Sequence, residues 1–227
     1  MDRATLAGMI DQTLLKPTVG ARQAEAWMRA SATEAFATLC VSPFLVPSAF
    51  RVLAGSGTAV CSVCGFPLGY ADTESKAAEA KRLVELGCAE VDMVMNIAAL
   101  LEEDEDYVRD DVKAVVEAVG ASSAGAGLVK VILETGYLEP AQIAAGSRLA
   151  VQAGAAFVKT STGFGPRGAS TDDVRLIRKT VGPNVGVKAA GGIRDLETAL
   201  AMIEAGANRI GTSSGIEILG AFEARAG

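Results

Sequence analysis

Apolar residues along this chain fall into two alternating rhythms. Short apolar runs, such as "AEVDMVMN" (89–96) and "GLVKVIL" (127–133), alternate with longer stretches such as "TESKAAEAKRLVELG" (73–87), where apolar positions recur at helical spacing. The first pattern suits strands buried on both faces, the second amphipathic helices. The alternation predicts strands at 8–13, 37–41, 58–64, 89–95, 128–134, 156–160, 184–189 and 208–211. Helices are expected at 21–34, 45–54, 73–86, 105–119, 140–153, 171–181 and 195–205, with a short one from 214.

One layout recurs. "AKRLVELGCAEVDMVMN" (80–96), "SRLAVQAGAAFVKTST" (147–162) and "ALAMIEAGANRIGTSS" (199–214) each run from helix to Gly to apolar strand to a polar end. Gly87, Gly154 and Gly206 stand where a helix ends on a left-handed residue. Start signals agree: Asp72, Ser170 or Thr171, and Asp195 are N-cap candidates, and Pro140 suits a first helical position. The acidic run "EEDED" (102–106) reads as a solvated first turn, favoured by the helix dipole. Helix–strand repetition means a parallel sheet, and eight alternations in a chain of this length predict a single-domain (β/α)8 TIM barrel over 1–227. The alternative, an open doubly wound sheet, lacks its usual G-x-G-x-x-G fingerprint here.

Composition narrows the function. The net charge of −6 disfavours nucleic acid or an anionic membrane as partner. No run reaches the length of a membrane span, and the first residues lack the apolar core of a signal peptide, so a soluble cytoplasmic protein is expected. Cys61 and Cys64 form a lone C-x-x-C with no second pair to complete a zinc site, and residues three apart on a strand face opposite ways. Reduced, buried thiols are expected at Cys40, Cys61, Cys64 and Cys88. The chain contains no histidine. That removes Ser-His-Asp and Cys-His catalysis and His-ligated metal, and leaves acid–base work to Lys, Asp, Glu, Tyr, Cys or water.

In a barrel the chemistry stands at the C-terminal ends of strands. The polar residues there are Asp11, Thr13, Cys40, Ser42, Asp92, Asn96, Lys130, Glu134, Lys159, Lys188 and the "GTSSG" of 211–215. Lys159 and Lys188 end consecutive strands and should be neighbours. Two ammonium groups about 6 Å apart at an effective dielectric of about 20 repel by roughly 2.8 kcal/mol. An ordinary lysine is neutral in only about one molecule in 2,500 at pH 7, and such a neighbour raises that fraction about a hundredfold. Neutral amine attacks carbonyls, so this pair can prepare a Schiff-base lysine. The spacing does not say which of the two it is. Asp92, mid-strand among apolar residues, needs a cation: it either relays protons through water or forms an ion pair with Lys130 or Lys188. "KAAGGIRD" (188–195) and "IGTSSGIE" (210–217) put glycines and small hydroxyls where barrels bind phosphate. Gly191, Gly192, Ser213 and Ser214 are the candidate ligands, with Thr162 and Gly163 beside them.

At these residues the chain closely resembles the deoxyribose-phosphate aldolase family. The matching stretches, in order, are "IDQTLLKP", "LCVSP", "VCSVCGFPLG", "EVDMVMN", "VKVILETG", "FVKTSTGFG", "VGVKAAGGIR" and "RIGTSSG". The resemblance implies a metal-free, cofactor-free class I aldolase that splits 2-deoxy-D-ribose 5-phosphate reversibly into D-glyceraldehyde 3-phosphate and acetaldehyde. It implies Lys159 as the Schiff-base residue, Lys188 as the cation that readies it, and Asp92 acting with Lys188 and water. Thr13, Cys40 and Thr162 would line the cavity, and Gly163, Gly191, Gly192, Ser213 and Ser214 would hold the phosphate. Such enzymes often dimerise, so a homodimer is the partner the resemblance allows.

Several positions depart from the family's commoner patterns. Gln12 stands where His is common, and activity is expected to survive. Phe164 stands where some members carry a phosphate-side Lys; Arg167 either supplies that charge or is a surface arginine. Lys16 reads as local structure. The chain ends "FEARAG", without the terminal Tyr of some members. The competing readings are another Schiff-base barrel acting on a different phosphorylated sugar, and a phosphate-binding isomerase or silent sugar-phosphate binder.

Overall fold

The computed structural model describes residues 1–226. Its strands are β1 (Ile10–Leu14), β2 (Thr38–Val41), β3 (Ala59–Cys64), β4 (Glu90–Val94), β5 (Leu128–Ile132), β6 (Phe157–Lys159), β7 (Gly186–Ala190) and β8 (Arg209–Thr212). All pair in parallel in chain order, and β8 returns to β1 to close the barrel. Helices α2 (Ala21–Ser31), α3 (Val46–Val52), α4 (Thr73–Glu85), α6 (Glu105–Ser122), α7 (Pro140–Gln152), α8 (Thr171–Val181), α9 (Leu196–Glu204) and α10 (Gly215–Ala226) follow the strands. This is the (β/α)8 barrel expected from the alternation.

The caps form as the side-chain chemistry requires. Asp72, Ser170 and Asp195 accept the backbone N–H groups of Ser75, Asp173 and Thr198. Gly87, Gly154 and Gly206 all have positive φ just past their helices. In the acidic run, Asp104 caps α6 and Glu105 and Asp106 fill its exposed first turn, where the dipole favours them.

Two short helices, α1 (Arg3–Ala7) and α5 (Ile97–Leu101), were absent from the expected pattern. Each spans five residues, too few to show a helical period, and each rests on a cap: Asp2 for α1 and Asn96 for α5. Helix α1 also explains why the first strand starts at Ile10 rather than residue 8, because Gly8 closes the helix.

The apolar core lies between the sheet and the helices. Val91 and Met93 of β4, Val129 and Val131 of β5 and Val187 and Ala189 of β7 point outward into it. The alternate residues of those strands point inward, and there the barrel is filled largely by charge.

Candidate active site

Strand register builds the charged interior. Asp92 pairs with Lys130 on β5, Ile132 pairs with Lys159 on β6, Lys159 pairs with Lys188 on β7, and Lys188 pairs with Arg209 on β8. Glu90 and Asp92, two apart on β4, share the inward face, and Asp11 enters from β1.

Asp92 is the hub. Its Oδ1 lies 2.7 Å from Lys130 Nζ, and its Oδ2 lies 2.7 Å from both Lys159 Nζ and Lys188 Nζ. The amines of Lys159 and Lys188 are therefore no more than two hydrogen-bond lengths apart. Cys61 also donates its thiol to Asp92 Oδ1 at 3.3 Å. Asp11 takes Lys188 at 2.5 Å and Arg209 at 2.6 Å, while Glu90 takes Lys130 at 2.5 Å and Arg209 at 3.1 Å.

Charge counting separates the lysines. Three carboxylates (Asp11, Glu90, Asp92) face four cations (Lys130, Lys159, Lys188, Arg209). Lys130, Lys188 and Arg209 each reach at least two carboxylates, whereas Lys159 reaches only Asp92. Burial alone would favour a neutral Lys188, but Asp11 and Asp92 outweigh it and hold that ammonium above the usual lysine range. Lys130 is raised likewise by Asp11 and Asp92 against its burial. Burial would push the Asp92 carboxyl up, yet Lys130, Lys159 and Lys188 keep it well below the ordinary carboxylate range. Asp11 is lowered too, by Lys130, Lys188 and Arg209 against burial.

Above the cluster opens a cavity of about 790 Å³ at the C-terminal ends of the strands. Thr13, Lys159, Thr162, Gly163, Gly191, Gly192, Ser213 and Ser214 all line it. Gly191 and Gly192 both have positive φ, and a Cβ on Gly191 would stand 3.0 Å from the backbone of Gly168 and 3.6 Å from that of Gly163. The loops after β6 and β7 thus touch through glycine backbone, leaving a mouth with little side-chain bulk.

Two expectations, those for Cys40 and Lys16, need correction, and Arg167 takes the surface position of its two alternatives. Cys40 does not line the cavity: it is fully buried beneath it, packed with Cys61 and Val63, because facing inward on a barrel strand does not set the depth. Arg167 is not at the mouth. It pairs with Asp173 and donates to the Thr135 carbonyl at 2.9 Å. Lys16 is more than local structure, since with Arg194 it lines the cavity, and neither forms an ion pair among the described residues. Lys188 and Asp92 are fully buried and do not line the cavity, and Asp92 holds Lys159, which does. Gln12 points away from the cluster, and its Oε1 accepts the Gly215 N–H at 2.9 Å, fastening the start of α10 to β1. Cys40, Cys61 and an Asp92 oxygen lie within 4.8 Å of one another, a spacing that could hold a cation. The same carboxylate already holds three lysine amines, so the cluster is built for lysine rather than metal.

A closed barrel with a lysine cluster under a glycine-lined, cationic mouth is the architecture of a Schiff-base aldolase. Residues 5–221 match the model of the DeoC/LacD family aldolases, and the chain belongs to that family. It is 50% identical over 210 residues to a deoxyribose-phosphate aldolase of Brevibacillus brevis, covering 92% of this chain and 93% of the relative. It is 49% identical over 215 residues to that of Bacillus subtilis, covering 95% of each. Among solved structures, an aldolase named QR15 superposes with a TM-score of 0.90 at 40% identity, covering 97% of both chains. The deoxyribose phosphate aldolase of Aeropyrum pernix, described as uniquely tetrameric, superposes with a TM-score of 0.90 at 32% identity, covering 99% of this chain and 93% of the other.

Proposed function

We propose that this chain, as one catalytic domain, reversibly cleaves 2-deoxy-D-ribose 5-phosphate to D-glyceraldehyde 3-phosphate and acetaldehyde. The observation that carries the reading is that Lys159, of the four cations in the cluster, lines the cavity and has a single carboxylate partner. The relatives named above supply the substrate.

The neutral Lys159 amine attacks C1 of the open-chain sugar, and the carbinolamine that forms loses water to give the iminium. Asp92 touches the reacting nitrogen and, with the protonated Lys188, moves protons to and from the departing oxygen through water. Loss of the C3 hydroxyl proton then turns C3 into the aldehyde carbon, and the C2–C3 bond electrons pass into the iminium. Glyceraldehyde 3-phosphate leaves with C3 to C5. The enamine left on Lys159 is protonated at C2, and water releases acetaldehyde. Lys130, Arg209, Asp11 and Glu90 hold the charges that keep Lys188 and Asp92 ionised.

The phosphate sits on the backbone of Gly163, Gly191 and Gly192 with Ser213 and Ser214, facing Lys16 and Arg194. Thr13 flanks the sugar, Thr162 stands with Gly163 beside the phosphate, and Cys40 acts from beneath, through packing. No metal or cofactor enters the scheme. Four free buried cysteines support a reducing, cytoplasmic setting, and no helix among the described residues is long and apolar enough to cross a membrane. A homodimer is proposed alongside, to be read by sedimentation.

The test is borohydride reduction in the presence of acetaldehyde, followed by peptide mapping. A stable adduct on Lys159 is expected. No adduct, or one confined to Lys188 or Lys130, would sink the assignment.

A further inference from the structure

Glu134 combines two costs at one residue. Its backbone is in the left-handed region at φ 56°, which a non-glycine residue seldom adopts. Its side chain is almost fully buried, and Oε1 has no hydrogen-bond partner among the described residues. A buried carboxylate oxygen left unmatched is costly and calls for an explanation.

The other oxygen shows what the residue does. Glu134 Oε2 accepts both the backbone N–H of Thr162, at 3.2 Å, and the Thr162 hydroxyl. The Thr162 hydroxyl oxygen in turn accepts the Phe164 N–H at 3.0 Å. Gly163 is thus held between two tethered neighbours. The loop also leaves room for the carboxyl group: a Cβ on Gly165 would stand 2.7 Å from Glu134 Cδ. Thr162, Gly163 and Phe164 line the cavity, whereas Glu134 does not.

We propose that Glu134 is a positioning residue: it sets residues 162–165 at the height where Gly163 meets the phosphate, and so favours phosphorylated over unphosphorylated sugars. This rests on the phosphate site assigned above. Glu134 touches neither the lysine cluster nor the reacting carbons, so its loss acts on the phosphate end alone.

E134A removes the acceptor, while E134Q keeps an oxygen that can receive both Thr162 donors. A charge-assisted pair of hydrogen bonds of this kind corresponds to about tenfold in binding. E134A is expected to raise KM for 2-deoxy-D-ribose 5-phosphate about tenfold, leave kcat/KM for unphosphorylated 2-deoxy-D-ribose within about twofold, and keep the Lys159 adduct. E134Q should stay within about threefold of the parent on both sugars. G165A presses on the same carboxyl from the loop side and should give the same selective loss, so it reads the proposal if E134A does not fold. Equal loss on both sugars, no loss on the phosphorylated sugar in the folded variants, or E134Q falling with E134A would overturn it. The dissociation constant for inorganic phosphate, taken by calorimetry, should rise about tenfold in E134A or G165A. That measurement separates the two readings: a parent that does not cleave the sugar refutes the function, and an unchanged phosphate constant refutes the role of Glu134.

Discussion

Asp92 and Lys188 are 96 residues apart in the chain, yet Oδ2 of one and Nζ of the other lie 2.7 Å apart inside the barrel. The contact makes Asp92 the point on which three lysines converge, and removing its charge leaves them facing one another. D92N is expected to lower kcat by at least about a hundredfold through loss of proton transfer, and to cost about 3–5 kcal/mol of stability. Steady-state kinetics and urea unfolding of the same preparation read both. A variant with parental stability would show that the buried charge is not held as described.

K159L should abolish cleavage and the borohydride adduct while phosphate binding persists, because Lys159 contributes no contact to the glycine mouth. Turnover at the parental level would refute the nucleophile. K188L instead leaves the amine in place but removes its cationic neighbour, so adduct formation is expected to slow rather than vanish.

The cluster also sets how stability depends on pH. Asp11 and Asp92 have folded-state values below the unfolded carboxylate value, so their contribution is present above about pH 4 and lost as pH falls through the folded values. Lys130 and Lys188 are raised, so theirs is present below about pH 10 and lost as pH rises through the folded values. The melting temperature should be nearly flat between these limits and fall on both sides. In D92N the acid fall should become shallower.

Burial pushes the Cys88 thiol up to about 12 and raises Cys64 and Cys61 as well. These three should therefore resist a thiol reagent at pH 8 in the folded protein, and all four cysteines should react in denaturant. Rapid labelling of Cys88 in the native state would contradict its burial.

Gln12→Leu should cost about 1–2 kcal/mol, since the Gly215 N–H loses its acceptor, and should raise KM for the phosphorylated sugar through movement of Ser213 and Ser214. Thermal melts and KM measured together check it.

Much of this was legible in the chain. The eight strands follow from apolar runs between glycine-ended helices, and the inward position of Lys159 and Lys188 from their place at consecutive strand ends. Spacing alone did not separate Lys159 from Lys188, which only the resemblance distinguished, because their different carboxylate partners depend on Asp11, Glu90 and Arg209, which meet only once the barrel closes. Cys40 misled because the resemblance places it near the cavity without giving its depth below it. Lys16 was overlooked because it lies beyond the end of β1, where no period remains to orient it. Glu134 stood among the strand-end residues, but its partner Thr162 is 28 residues on, and only their meeting shows its use.

The first strand is tied to later elements at three points: Asp11 binds Lys188 of β7 and Arg209 of β8, and Gln12 holds Gly215 at the start of α10. A chain emerging from the ribosome makes β1 some 200 residues before Arg209 and Gly215. Until β8 arrives, Asp11 has no Arg209, the barrel has an open edge, and the phosphate end has no α10 fastened to it. Barrel closure and completion of the charge set are thus one event, since both wait for β8.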